Sequence, residues 1–281
     1  MSLKGVAKRE ILKVTGRKTQ QVNDLLAVEE PLEIRLESGL DAAGSYENLT
    51  VTMRTPGHDE ELAVGFLFTE GLISEPQQVR GFRLVKTRHS EARENVLAVQ
   101  LEEGTEDLLK KVKRNFLTTS ACGVCGKASI ESVQTSSQYE ILESIPVFDA
   151  ELLHGLPDKI NGYQSVFDCT GGLHAAALFN AAGELQFLRE DIGRHNAVDK
   201  VIGAAFLQDL LPLSESILLV SGRAGFELVQ KAVMAGIPVM AAVGAPSSLA
   251  VQLAAEAGMT LAGFLRNGQF NVYCGAERLK T

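Results

Sequence analysis

The sequence is poor in cysteine, with four residues in 281: Cys122, Cys125, Cys169 and Cys274. That is too few to staple a disulfide scaffold, and a reducing compartment would keep them as thiols. No apolar run approaches the ~18 residues that a membrane-spanning helix needs. The first residues, MSLKGVAKREILKV, carry charge without an apolar stretch and do not read as a secretory signal. These absences predict a cytoplasmic protein that does not enter a membrane. Basic residues are outnumbered, 27 against 35 acidic, for a formal net charge of -8. That balance argues against a general nucleic-acid binder. What is present is globular in kind: 45% hydrophobic and 22% charged residues. Collagen-like and disordered classes are excluded on that basis. A chain this long buries roughly three-quarters of its unfolded surface and supports a real core.

Composition shifts near residue 115. Residues 1–116 hold 17 basic and 19 acidic side chains, while residues 117–281 hold 10 and 16, with 17 of the 26 glycines. Small residues suit helices packed closely on a sheet, so a smaller α+β domain over 1–115 is expected before an α/β domain over 116–281. In the first, Pro31–Leu36 and Leu49–Met53 alternate apolar and polar and predict strands. Asp59 is placed to cap a helix over Glu60–Glu70. Phe82–Val85 and Val96–Leu101 predict two more strands, and Glu106–Arg114 a short helix.

The second domain alternates. His174–Phe179 and Glu184–Leu188 predict a strand pair around Ala182-Gly183, and Arg194–Leu207 has helical spacing. Strands are expected over Ile217–Val220, Pro238–Val243 and Leu261–Leu265, with an edge strand over Phe270–Cys274. Helices are expected over Arg223–Ala235 and Pro246–Ala257. Such alternation predicts a parallel-rich sheet covered by helices.

The densest chemistry lies in Thr118-Thr119-Ser120-Ala121-Cys122-Gly123-Val124-Cys125-Gly126-Lys127. Two thiols three apart among glycines and small polar residues read as a mobile, exposed loop over 117–128. Lys127 favours the thiolate, which is the nucleophilic form. Half a zinc site, a dithiol redox pair and a sulfur-carrying thiol with a neighbour all use such a pair. A structural zinc needs four ligands, and no second CxxC exists. A thioredoxin-like pair expects a preceding strand, where a loop is read here. Cys169 and Cys274 flank predicted strands and read as core residues.

Three strand-to-helix junctions are also candidates. Arg189-Glu190-Asp191-Ile192-Gly193-Arg194-His195-Asn196 opens the Arg194 helix, where Asp191 can cap the helix or orient His195. A helix N-terminus beside Arg194 suits a phosphate, and a capped helix with a solvated charge cluster explains the same residues. Ser221-Gly222-Arg223-Ala224-Gly225 offers free backbone N–H groups and Arg223 to an anion, or a close helix–sheet crossing. Gly244-Ala245-Pro246-Ser247-Ser248 is the third. In an open α/β sheet such junctions line up where ligands bind.

Taken together, six segments resemble the formate dehydrogenase accessory sulfurtransferase family, FdhD/NarQ. They are RTPGHDEELAVGFLFTEGLI from Arg54, TTSACGVCGK from Thr118, TGGLHAAAL from Thr170, EDIGRHNAVDKVIG from Glu190, SGRAGFELVQK from Ser221, and APSSLAVQLAAEAGMTLAGFLRNGQFNVY from Ala245. The resemblance implies a cytoplasmic sulfurtransferase. It would accept sulfur from a cysteine desulfurase and pass it to a molybdenum or tungsten bis(pterin guanine dinucleotide) cofactor, bound as substrate, for formate dehydrogenase. It places the sulfur-carrying cysteine at Cys122 and its partner at Cys125. It also places a cofactor-binding stretch at Phe264, Leu265, Arg266, Asn267, Gly268 and Gln269. Arg194, His195, Ser221, Gly222 and Arg223 are added from the junctions above. A homodimer is implied, and a cytidine-deaminase-like three-layer fold with a mixed sheet for the second domain.

The deaminase likeness stops at the fold. Zinc deaminases use H-x-E followed by P-C-x-x-C, whereas His174 precedes Ala175 and Ala176, and the CxxC lies upstream without a proline. Neither zinc nor deamination is expected. Two other readings of the whole remain: a non-catalytic chaperone that shelters the cofactor, and a dithiol oxidoreductase.

Overall fold

The computed structural model describes residues 5–38, 46–85, 95–102, 137–142, 146–266 and 268–280. The predicted 106–114 helix, the boundary near residue 115, Cys122, Cys125 and Asn267 lie outside them.

The chain starts with an antiparallel hairpin, β1 (Val6–Thr15) and β2 (Lys18–Ala27), which turns at Gly16 with φ 61°. Beyond it, β3 (Glu30–Ser38), β4 (Tyr46–Arg54), β5 (Val79–Leu84) and β6 (Val96–Leu101) form a four-stranded sheet in the order β4-β3-β6-β5. All four strands expected in this part of the chain are therefore present, with β5 starting three residues earlier than Phe82. Leu32, Ile34 and Leu36 of β3 point one way, every second residue, and are at most 1% exposed.

Helix α1 (Asp59–Thr69) begins one residue earlier than expected. His58 is the N-cap, in the left-handed region at φ 58°, and Asp59 makes no cap. The Asp59 carboxylate is taken instead by Arg54, whose Nε and Nη2 donate to it at 2.9 and 3.0 Å. Further along α1, Glu61 accepts from Arg189 Nε and Nη2 at 2.5 and 2.7 Å. Burial opposes the Glu61 charge, but the Arg189 and His58 hydrogen bonds outweigh it and hold the carboxyl at about 2.

The rest of the chain builds a second sheet. Its strands are β8 (His174–Asn180), β9 (Leu185–Asp191), β10 (Ser216–Val220), β11 (Val239–Ala242), β12 (Thr260–Arg266) and β13 (Gln269–Cys274), after a short β7 (Phe148–Asp149) that pairs with β14 (Leu279–Lys280). The order is β13-β12-β11-β10-β8-β9. Only β10, β11 and β12 run parallel to their neighbours among themselves; β8, β9 and β13 pair antiparallel. The sheet is mixed, as the family resemblance implies, and not the parallel-rich sheet that strand–helix alternation predicts, because short turns such as Ala182-Gly183 and Gly268 return the chain as hairpins.

Both faces of this sheet are covered. Leu218 and Val220 of β10 join a core with α4 (Arg194–Leu207), α5 (Phe226–Met234) and α6 (Ser248–Glu256). Ile217 and Leu219 point oppositely, into a core with Leu153, Leu156 and Ile160 of α2 (Ala150–Ile160). A six-residue helix, α3 (Ser165–Thr170), precedes β8. The expected α4 agrees at both ends. Helix α5 starts at Phe226 rather than Arg223, because Arg223–Gly225 is held as loop by a bridge from Ala224 to Pro246.

The first core also holds Leu32, Leu62 and Val99, so α1 and the four-stranded sheet pack on the same side as α4. The helices α1 and α4 cross at Gly65 and Gly203. A Cβ on either would lie 1.9 Å from a backbone oxygen of the other helix, Asp199 O or Glu61 O. Around that crossing, Lys231 Nζ donates to both Asp199 oxygens at 2.8 and 2.9 Å and to Thr69 at 2.9 Å. Burial alone would push Lys231 down, but Asp199 holds it above the usual lysine range.

Two cysteines depart from expectation in different degree. Cys169 is exposed, in the last turn of α3, and is not a core residue. Cys274 is half-buried; its Sγ donates to Met259 O at 3.3 Å, and burial pushes its thiol up.

Candidate functional site

The parallel strands β10, β11 and β12 deliver their carboxyl ends to one edge of the six-stranded sheet. The antiparallel β8 begins on that edge at His174, and β9 ends there at Asp191, its register partner. The junctions after β9, β10, β11 and β12 therefore align, as expected for an open sheet. The loops are tied to one another by the backbone. Ser221 N donates to Ala175 O at 3.0 Å and Gly244 N to Gly222 O at 3.0 Å. Phe264 N donates to Gly244 O at 3.1 Å. Ser221 Oγ accepts from Ala175 N at 2.9 Å, so its hydroxyl is partly used in closing β8 on β10.

The loop after β9 is set by a buried network. Asp191 is 0% exposed, and each carboxylate oxygen accepts twice. Oδ1 takes Gly193 N at 2.8 Å and Asn196 Nδ2 at 3.0 Å. Oδ2 takes Thr55 N at 3.2 Å and Lys200 Nζ at 2.6 Å. Asn196 Nδ2 also reaches Met53 O at 2.8 Å, and Lys200 Nζ reaches Thr55 O at 2.9 Å. A carboxylate so fully engaged is suited to positioning: it fixes the first turn of α4 against the end of β4. Glu190 turns the other way and caps α3, accepting from Val166 N at 3.1 Å and Phe167 N at 2.8 Å.

Arg194 and His195 follow on the first turn of α4. Arg194 Nε is buried and has no hydrogen-bond partner among the described residues. His195 Nε2 lies 2.6 Å from Glu227 Oε2, in the first turn of α5. His174 is half-buried between them and the β10 loop. Burial, and then Arg194 and His195, push its imidazole below the usual range against an opposing pull from Asp191.

At the far end of the edge, Phe264 has φ 56°, a strained conformation for an aromatic residue. It faces Arg266, whose guanidinium lies 5.9 Å from its ring centre. Leu265 points away and is 1% exposed in the α2-side core, so its side chain faces away from the loops. Arg266 pairs with Gln269 across the turn at Gly268, and all three are exposed. Arg223 is also exposed. The edge thus gathers Arg194, His195, Ser221, Gly222, Arg223, Phe264, Arg266, Gly268 and Gln269, while Cys122, Cys125 and Asn267 lie outside the described residues. Two members escaped sequence reasoning in this role. His174 reads in the sequence only as a strand residue compared with the deaminase motif, and Glu227 carries no local signal: His174 joins the edge through its pairing with Asp191, and Glu227 through a contact between two helices. Among the described residues, no three His, Cys, Asp or Glu side chains are placed to share a metal ion, and no helix is long and apolar enough to cross a membrane.

Known proteins resemble this chain along nearly its whole length. A "Sulfur carrier protein FdhD" of Streptomyces coelicolor is 50% identical over 97% of this chain and 95% of its own length. A protein of the same name from Saccharolobus solfataricus is 40% identical over 98% of each. A crystal structure from Desulfotalea psychrophila, ascribed a formate dehydrogenase accessory role, superposes with a TM-score of 0.71 at 23% identity, covering 98% of this chain and 99% of that one. The family model described as FdhD/NarQ matches residues 27–280, from the last residue of β2 to the end of β14, and the chain belongs to that family.

Proposed function

We propose that this protein is a sulfur carrier for formate dehydrogenase maturation. The observation that carries the reading is one sheet edge that gathers Arg194, Arg223 and Arg266 with exposed loop ends, in a chain half identical to relatives named sulfur carrier proteins. The sulfur donor is a cysteine desulfurase. The Cys122 thiolate attacks the outer sulfur of the donor's persulfide, forming a Cys122 persulfide and releasing the donor thiolate. The Cys125 thiolate then attacks the inner sulfur, leaving a Cys122–Cys125 disulfide and freeing the outer sulfur as hydrosulfide. A cellular thiol reductant returns both cysteines to thiols.

The acceptor is the molybdenum or tungsten bis(pterin guanine dinucleotide), bound as substrate. Its phosphates need local positive charge in a chain of net charge -8, and Arg194, Arg223, Arg266 and the N–H groups of the loops at Ser221–Arg223 supply it. The stretch Phe264–Gln269 contributes an aromatic face at Phe264 and polar ends at Arg266, Asn267 and Gln269. In this reading the protein works in the cytoplasm as a homodimer, and the six-stranded sheet with its helical layers is the cytidine-deaminase-like domain.

Incubation with a desulfurase and cysteine is expected to add one sulfur atom, seen by mass on the Cys122 peptide. The adduct should vanish in Cys122→Ala. No adduct on the native protein, or an unchanged adduct on the variant, would sink the proposal. A cofactor-sheltering chaperone predicts instead that Cys122→Ala still supports active formate dehydrogenase in cells.

A further inference from the structure

The hairpin of β1 and β2 is anchored to the rest of the chain at its base. There Val28 N donates to Gly5 O at 2.8 Å, a Cβ on Gly5 would meet Thr55 and Val166, and β2 packs on α3. From Lys8 to Leu26 every residue is exposed except Ile11 and Val22, which pair with each other and are half-buried. Leu12 and Val14 are 61% and 62% exposed. With Leu25 they share one face, since their register partners are Gln21, Thr19 and Lys8. A lone two-stranded ribbon is marginal in water, and apolar side chains held out on it mark an interaction surface. The ribbon is also basic in an acidic chain. Residues 5–28 hold five basic side chains, three of them at the tip (Lys13, Arg17 and Lys18), against two acidic, whereas residues 29–281 hold 21 basic and 33 acidic. The family model matches from residue 27 onward, so the ribbon stands apart from the matched body.

We propose that this ribbon is a docking arm that lies on the acidic body of a second copy of this chain. The surface of opposite charge that the arm needs is carried by the same sequence. Among the described residues its own body leaves the arm uncovered, so the match is met between copies. Each copy offers one arm and one body, and a two-fold contact satisfies both at once. The twenty strand residues of one arm are comparable with the roughly 20–30 residues a side of a stable interface. Leu12, Val14 and Leu25 supply its dehydrated centre, and the cations of the tip supply its charged rim. The inference rests on the homodimer of the proposed function and deepens it, by naming the surface that joins the copies. The sulfur chemistry at Cys122 does not depend on it.

The test uses the full chain in sedimentation runs over a concentration series, where the native protein is expected to run as a dimer. Leu12→Ser with Val14→Ser removes the apolar row at positions too exposed to support the fold. It should raise the dimer dissociation constant by ~10-fold or more. Lys13→Glu with Lys18→Glu, at exposed positions near the tip, is a second variant; it should weaken the dimer too and reduce its salt dependence. A mixture of heavy-isotope and unlabelled native protein, treated with a carbodiimide, should link Lys13 or Lys18 of one label to carboxylates of residues 29–281 of the other. A dimer unmoved by both variants, or the absence of mixed-label links, would overturn the arm and leave the homodimer standing. A native protein that stays monomeric at every concentration would overturn both. Retention on immobilised RNA that is lost in Lys13→Glu with Lys18→Glu, with self-association unchanged, would assign the arm to nucleic acid and overturn the proposal as well. Sulfur on Cys122 is read separately by mass and survives any of these results.

Discussion

Lys200 is an ammonium at 1% exposure, held 2.6 Å from a carboxylate, Asp191, at 0%. Removing one partner of such a pair leaves an uncompensated buried charge. Lys200→Met keeps most of the volume and is expected to lower stability by about 3–5 kcal/mol, read from denaturant unfolding. Pairing it with Asp191→Leu should recover part of the loss; a single variant that unfolds like the native protein would show the pair to be dispensable. Residues 189–196 are chemically crowded already in the sequence. The sequence leaves the duty of Asp191 open between capping the helix and orienting His195. Its partner Thr55 lies 136 residues away, and no local pattern reports such a pairing.

At the scale of elements, strong periodicity was legible and weak periodicity was not. Helix α4 is readable to the residue because Ala197, Val198, Val201, Ile202 and Ala205 recur at helical spacing, although the helix is buried nearly all round from Asn196 to Phe206. The hairpin of β1 and β2 went unread. Most of its residues are exposed, so no alternation betrays a buried face. Helix α2 carries Pro157 inside it, and α3 is six residues long with its first amides capped by the distant Glu190. Helix α2 does carry a cap at Asp149 and an apolar face at Leu153, Leu156 and Ile160, which Pro157 interrupts, whereas α3 offers no helical signature of its own. The two glycines where α1 meets α4 make a prediction at this scale. Gly65→Ala adds a methyl where the Asp199 carbonyl stands, forces the helices apart, and should cost about 1–3 kcal/mol or more in overpacking. A measured melting temperature equal to that of the native protein would show that the crossing is looser than described.

For the whole molecule, the four-stranded sheet and the six-stranded sheet share one apolar core through α1 and α4. The expected outcome is common unfolding. Amide exchange should lose protection in β3 and β10 at the same denaturant concentration, as for one cooperative unit. A separate early step in β3 would show that the two sheets are stable independently. Sequence alone determined the order of most strands and helices, the glycine-rich junctions, the acidic balance and the segments that carry the family. These are local or compositional properties, written in neighbouring residues. Only the tertiary structure decided which strands of the sheet pair antiparallel, that Cys169 is exposed, that Asp191 is a buried anchor, and that His174 faces Gly222 beside Arg194. Each depends on strand order and register between segments far apart in the chain, where alternative pairings bury similar apolar area and packing of the whole core selects among them.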